Sequence, residues 1–205
     1  MGEPYEIIAA PFEVYVAPVG TAFPDVAGSP GAGWTKLGTS GTRSMSEDGV
    51  KITHSQKIER DNFRMLGSTG PRKAVRTSED LTIEFTLVDV SLEMYAEALA
   101  VGAYEDTSED VIKEDGANKE MGLYRGIDVK EVALLVRGPS PYVDGQYMQF
   151  EVPRVFQDGN PTPTFSKSTP GALQFTFTAL EAELTGDAAE AQRFGRLKAY
   201  AVEGS

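Results

Sequence analysis

Residues 46–92 read SEDGVKITHSQKIERDNFRMLGSTGPRKAVRTSEDLTIEFTLVDVSL, and this stretch decides the fold. Leu81, Ile83, Phe85 and Leu87 alternate with Thr82, Glu84, Thr86 and Val88, a period of two with one apolar face. Before them, Val50 and Ile52 alternate with Lys51 and Thr53. These are two strands of one sheet. The polar segment between them is too long and too charged for a hairpin turn, and such excursions are either functional or disordered. It predicts an arm over residues 54–78.

Working outward, Phe12, Val14 and Val16 form a first strand closed by Pro18, and Trp34 to Leu37 a short second one. Residues 19–33 are a Gly/Pro/Ala loop without pattern, and Gly38 to Ser44 turns the chain. After Leu87, Asp89 or Ser91 caps a helix over 91–101, with Leu92, Tyr95, Ala96 and Leu99 at helical spacing and Gly102 as its stop. Residues 103–121 read as an acidic surface loop with a turn or short strand at Val111–Ile112. Leu123 to Arg125 reads as a brief strand, and Val129 to Arg137 as a full one. Tyr147 to Phe156 is a strand that Pro153 marks as an edge or a bulge. Leu173 to Leu180 alternates cleanly. Residues 181–192 suit a loop or short helix, and Phe194 to Val202 a strand or helix. The sum is a mainly β chain: an antiparallel β-sandwich or barrel with one flanking α-helix and a long inter-strand arm, in a single domain over 1–205.

Composition narrows the chemistry. There are no cysteines among 205 residues, which excludes disulfides, thiolate catalysis and Cys-based zinc sites. No apolar run has the ~20 residues a membrane helix needs, so no membrane partner is expected. The first residues lack the basic segment of a secretory signal, and Glu6 stands where a myristoylation site needs Ser or Thr. The net charge is −12, a body that repels nucleic acid and anionic membranes. From Lys51 to Asp80, however, seven basic residues outnumber four acidic ones, so this segment is +3 and the remainder −15. A basic arm on an acidic body fits docking between copies, and equally a solvated loop.

Catalytic signatures are missing. His54 is the one histidine, at a strand end, with no Ser-His-Asp arrangement around it. The run Glu105-Asp106-Thr107-Ser108-Glu109-Asp110 is dense enough to attract a cation but lacks EF-hand spacing, and reads as a solvated loop. Gly67-Ser68-Thr69-Gly70-Pro71 has no Walker Lys-Ser or Lys-Thr after it and reads as a loop tip. The phenylalanines of the strands read as core. Neither an enzyme nor a cofactor is expected, and a monomeric β-sandwich binding or decoration module is the alternative to a self-assembling subunit.

The segments FEVYVAPVGTAFP (12–24), WTKLGTSG (34–41), SEDGVKIT (46–53) and EDLTIEFTLVDVSLEMYAEAL (79–99) together resemble the major tail tube proteins of long, flexible-tailed bacteriophages, and LQFTFTALE (173–181) fits as well. Residues 103–145 do not match in detail. The resemblance implies a β-sandwich or barrel with a flanking helix, whose copies join into six-membered rings that stack into a hollow tube around a tape-measure protein. DNA later passes through without specific binding. Tail tip and terminator proteins are further implied partners, with the virion tail as the location and the host cytoplasm as the place of assembly. The loop that reaches neighbouring subunits in that family maps onto His54 to Ser78. Lys57, Arg60, Arg64, Arg72, Lys73 and Arg76 are the candidate charged contacts on an acidic neighbour. Phe63, Met65 and Leu66 are the candidate apolar anchors, because a solvated loop has little use for three bulky apolar residues so close together.

Overall fold

The computed structural model describes residues 8, 11–38, 44–61, 66–67, 69–100, 112–168, 170–183 and 192–201. Its strands are β1 (Glu13–Pro18), β2 (Thr35–Lys36), β3 (Met45–Glu59), β4 (Val75–Leu87), β5 (Ile112–Asp115), β6 (Asn118–Met121), β7 (Glu131–Pro139), β8 (Tyr147–Gln157), β9 (Leu173–Ala179) and β10 (Arg196–Ala199), with helix α1 (Leu92–Leu99) after β4. The main sheet runs β2-β1-β7-β8-β9-β4-β3, every pair antiparallel, and β10 adds to β8. β2 and β3 end the sheet without meeting, so it stays open: a sandwich rather than a barrel.

Strand β8 makes the corner. Its first half lies between β7 and β10, and Val155 to Gln157 then pair with β9. The register slips between Val132/Val155 and Leu134/Val152, which leaves Pro153 and Arg154 opposite Ala133 alone. Proline cannot donate to a ladder, so a bulge is where the sheet tolerates it, and the bulge bends the strand. The bend brings the inner faces of β1, β7 and β8 against those of β4 and β9. Between them sit Val14, Val16, Leu81, Ile83, Phe85, Leu87, Val132, Leu134, Val136, Val152, Leu173, Phe175 and Phe177, all buried. Phe85 stacks on Phe175 at 4.9 Å between centroids, a cross-strand pair in direct register.

β7 is buried on both faces, which its unbroken apolar run (VALLV) requires. Ala133 and Leu135 point away from the core and are covered by Trp34, Phe23 and Tyr15. The patternless loop of 19–33 is therefore a lid. Trp34 Nε1 donates to the Ala22 carbonyl at 3.1 Å, and its ring meets Phe23 at 5.1 Å.

Several expectations are corrected. Of the two expected caps it is Ser91 that caps the helix, its Oγ accepting from the Met94 amide at 3.2 Å. It stops at Ala100, which turns left-handed at φ 52, rather than at Gly102, which lies outside the described residues. Met94, Ala96 and Ala98 are its buried residues: of the expected Leu92/Tyr95/Ala96/Leu99 stripe only Ala96 is fully buried, Tyr95 packs partly on the core, and Met94 and Ala98 make the main contact with the sandwich. Residues 112–121 are a hairpin, not a loop: the two-residue connection Gly116-Ala117 starts at φ +64, the conformation a glycine supplies. The acidic run 105–110 and Val111 lie outside the described residues. No strand forms over Leu123–Arg125. Arg196–Ala199 is a strand, and 184–191 lie outside the described residues.

The strand is able to sit on β8 only because Gly195 precedes it. Gly195 has φ +122, and a Cβ there would lie 2.2 Å from the Glu151 carbonyl oxygen.

Removing the centre of the core ring stack should be costly while the arm tip should not matter to stability. Phe175→Ala is expected to destabilise the subunit by about 3–5 kcal/mol. Leu66→Ala, at a fully exposed position, should leave the urea unfolding midpoint where it is.

Candidate assembly interface

The excursion between the two quoted strands is itself mostly strand. β3 and β4 continue their ladder past the point where β9 stops supporting β4, at Thr82/Thr178. From there Leu81 to Val75 pair only with His54 to Glu59. This ribbon reaches about 20 Å beyond the sandwich at ~3.3 Å per residue. Residues 75–80 are exposed on both faces, so no core stands behind the ribbon. The arm expected over 54–78 is thus largely a paired ribbon: alternation fails there because neither face is buried, while the backbone ladder continues.

Two features hold the ribbon. Lys57 pairs with Ser78 and Ile58 with Arg76, which leaves Thr77 as the extra residue of a bulge. Its hydroxyl donates to the Lys57 carbonyl at 3.2 Å. Arg76 donates to Gln56 Oε1 at 2.9 Å and pairs with Glu79 at 3.1 Å. Exposed pairs of this kind are worth ~0–1 kcal/mol, so they set direction more than stability.

Of the residues singled out from sequence, Lys57, Arg60, Arg72, Lys73 and Arg76 are all exposed on the ribbon or its tip. Arg76 is partly engaged within its own chain, as above. Leu66 projects from the tip, where Gly67 turns at φ +84. Phe63, Arg64 and Met65 lie outside the described residues. His54 is exposed in mid-strand opposite Leu81, with no acid–base constellation around it among the described residues. It borders a cleft of about 690 Å³ at the arm base, walled by Arg76, Asp80, Phe150, Phe194 and Leu197.

Sequence reasoning missed a second surface. Leu123, Tyr124, Ile127 and Val129 are strongly exposed, four large apolar side chains within seven residues. Arg125 fixes this segment by donating to the Leu99 carbonyl at 2.7 Å, at the C-terminal end of α1. A held backbone that turns its apolar side chains outward is typical of a contact surface. The signal was visible as an apolar cluster with neither helical nor strand period. The patch is thereby tied to the end of α1 where the Ala98 carbonyl accepts from Gln157 at 3.1 Å, in the sheet row of Phe177 and Ile83.

A third feature lies on the outer face of β1, β7, β8 and β10, where alternation predicted solvent. Glu151 is 1 % exposed, bonded to Arg196, to Lys198 at 3.3 Å and to Gln149 at 2.7 Å. Gln149 also donates to the Pro24 carbonyl at 2.8 Å, tying the lid down. At the other edge Glu13 accepts from Lys36 and from the Tyr15 hydroxyl, the latter at 2.6 Å. Burial pushes the Glu13 carboxyl up, but the Lys36 and Tyr15 bonds outweigh it and hold the group below the usual carboxylate range.

An open antiparallel sandwich with a bare strand ribbon and an outward apolar patch defines a structural β-protein whose surfaces suit contact with other subunits. A family model of phage tail tube proteins matches residues 3–191, and the chain belongs to that family. It is a structural protein of the phage tail, oligomeric there and located in the virion tail. No curated protein sequence matches it. Among the described residues no three His, Asp or Glu side chains gather as a metal site, and no helix is long and apolar enough to cross a membrane.

The depressed Glu13 carboxyl predicts a pH signature. A group lowered in the folded state adds stability above its unfolded value of ~4.3, and that stability is lost as pH falls through the folded value. Urea midpoints of wild type should therefore fall on acidification below about pH 4. Glu13→Gln should show a shallower fall, and an identical slope would exclude the Lys36–Glu13–Tyr15 cluster as its source.

Proposed function

We propose that this chain is the repeating subunit of a hollow tail tube, in which six copies close a ring, rings stack, and DNA passes through the channel. The observation that carries this reading is the β3–β4 ribbon: a paired, charged, uncovered projection, in a chain of the tail tube family. A two-stranded ribbon without a core is marginal on its own in water, and a second subunit supplies the missing face. The basic arm meets the acidic body of a neighbour, with Lys57, Arg60, Arg64, Arg72, Lys73 and Arg76 giving register and Phe63, Met65 and Leu66 giving burial. The apolar segment at Leu123–Val129 is a candidate receiving surface. Arm and patch are different surfaces of the chain, so contact between them is heterologous, the geometry of rings and open stacks rather than closed two-fold dimers.

The remaining roles follow from the same reading. The chain acts as a single tail-tube domain with 54–78 as its arm. Residues 103–121 belong to its surface. Its partners are further copies, a tape-measure protein, and tail tip or terminator proteins. Assembly takes place in the host cytoplasm. An acidic body lets a polyanion slide without adhering.

Electron microscopy of the concentrated protein tests the reading, with stacked hexameric rings expected and a persistent monomer alongside authentic tail components counting against it. Excising residues 58–77 and joining Lys57 to Ser78 through Asn-Gly preserves a paired hairpin. That variant should remain folded by circular dichroism and form no tubes, and tubes from it would remove the arm from the mechanism.

Charge reversal addresses the electrostatic part. Arg60→Glu with Arg64→Glu should raise the concentration needed for assembly. Wild-type assembly should itself weaken as salt shortens the Debye length from about 10 Å at 0.1 M to 3 Å at 1 M. Salt-independent assembly would leave only the apolar contacts.

A further inference from the structure

The outer-face polar cluster contains a cation that the subunit itself does not satisfy. Arg137 lies near the end of β7 and is 4 % exposed. One terminal nitrogen donates to the Val26 carbonyl at 2.7 Å, and the guanidinium lies 3.9 Å from the centre of the Tyr147 ring. Its Nε and other terminal nitrogen are buried and have no hydrogen-bond partner. A buried, incompletely bonded guanidinium is a costly arrangement in an isolated chain.

Both nearby carboxylates are already committed. Glu13 stands directly across the ladder from Arg137 but is bonded by Lys36 and Tyr15. Glu151 is bonded by Arg196, Lys198 and Gln149. Four cations, Lys36, Arg137, Arg196 and Lys198, thus share two anions, Glu13 and Glu151, on a chain whose net charge is −12. Arg137 lines a cleft of about 380 Å³ with Glu13, Tyr15, Ser29 and Tyr147. A water occupies roughly 30 Å³ of liquid, so the cleft admits a whole side chain.

We propose that this cleft receives a carboxylate side chain from a second copy of the chain, which pairs with Arg137. The inference rests on the reading that copies assemble. A second copy is the favoured source because each carries a large surplus of carboxylates. A cleft of this size accepts one side-chain group more readily than a continuous phosphate backbone. A charge-assisted bond there satisfies the open guanidinium nitrogens, and Tyr147 and the 24–30 lid shield it from water. The monomer thus carries a buried charge that assembly neutralises.

The test uses the full chain. Arg137→Met keeps the length and apolar stem. The variant monomer should unfold at a urea concentration no lower than wild type, while its critical concentration for assembly, by sedimentation velocity, should rise at least about tenfold, the scale of one charge-assisted pair. Assembly of Arg137→Met at the wild-type concentration overturns the proposal. A second measurement covers failure of that variant to fold. In ¹⁵N-arginine-labelled wild-type monomer, the Arg137 Nε resonance should move on titration with sodium acetate and stay still with sodium chloride. No acetate-specific shift, or a shift with sodium phosphate alone, also overturns it. If the wild type never assembles, the tube reading fails, and the acetate titration still decides the site.

Discussion

Strand β4 is longer than the sandwich that supports it, and the rest of the molecule follows from that mismatch. Backbone amides and carbonyls need partners wherever they lie. From Thr82 to Leu87 they find them on both sides, in β3 and β9, with an apolar face pressed into the core. From Val75 to Leu81 they find them on one side only. The same strand is thus a core element at one end and a bare ribbon at the other. Bare edges recruit further strands, which monomeric proteins suppress and assembling ones use.

Around that strand the two halves of the sheet do different work. β4 and β9 hold stacked phenylalanines and present threonines outward. β1, β7 and β8 are buried on both faces, one by the core and one by the 19–34 lid. The lid is held by polar groups rather than by its own pattern: Gln149 to Pro24, Arg137 to Val26, Trp34 to Ala22. Hydrogen bonds to main-chain carbonyls suit a Gly/Pro-rich loop because it has many carbonyls without strand partners. This arrangement leaves the outer face charged, buried and slightly over-supplied with cations.

Charge and shape are therefore distributed by pole and face. The basic ribbon leaves the N-terminal end of β4, and the apolar segment around Ile127 is held beside the sandwich by Arg125 on α1. A subunit with two unlike contact surfaces propagates, because each contact leaves a fresh surface exposed. Membership of the tail tube family and these two unlike surfaces agree, although one comes from sequence similarity and the other from exposure.

Much of this was legible in the residues alone. Alternation in 81–87, 147–156 and 173–180 marked the strands, since a half-buried strand must alternate, and Ser91 marked the helix start through its capping oxygen. Pro153 announced the bulge. The arm's charge and its three apolar residues were also plain. What the chain order concealed depends on contacts distant in sequence. The ladder through His54–Glu59 carries no side-chain signature, because backbone pairing without burial leaves none. Likewise, Arg137, Gln149 and Glu151 sit on alternating positions that read as solvent-facing; the lid some 110–130 residues earlier covers the first two, and β10, 45 residues later, covers Glu151. Periodicity reports which face differs from the other. Whether the polar face meets water or a folded-back loop is decided by tertiary packing.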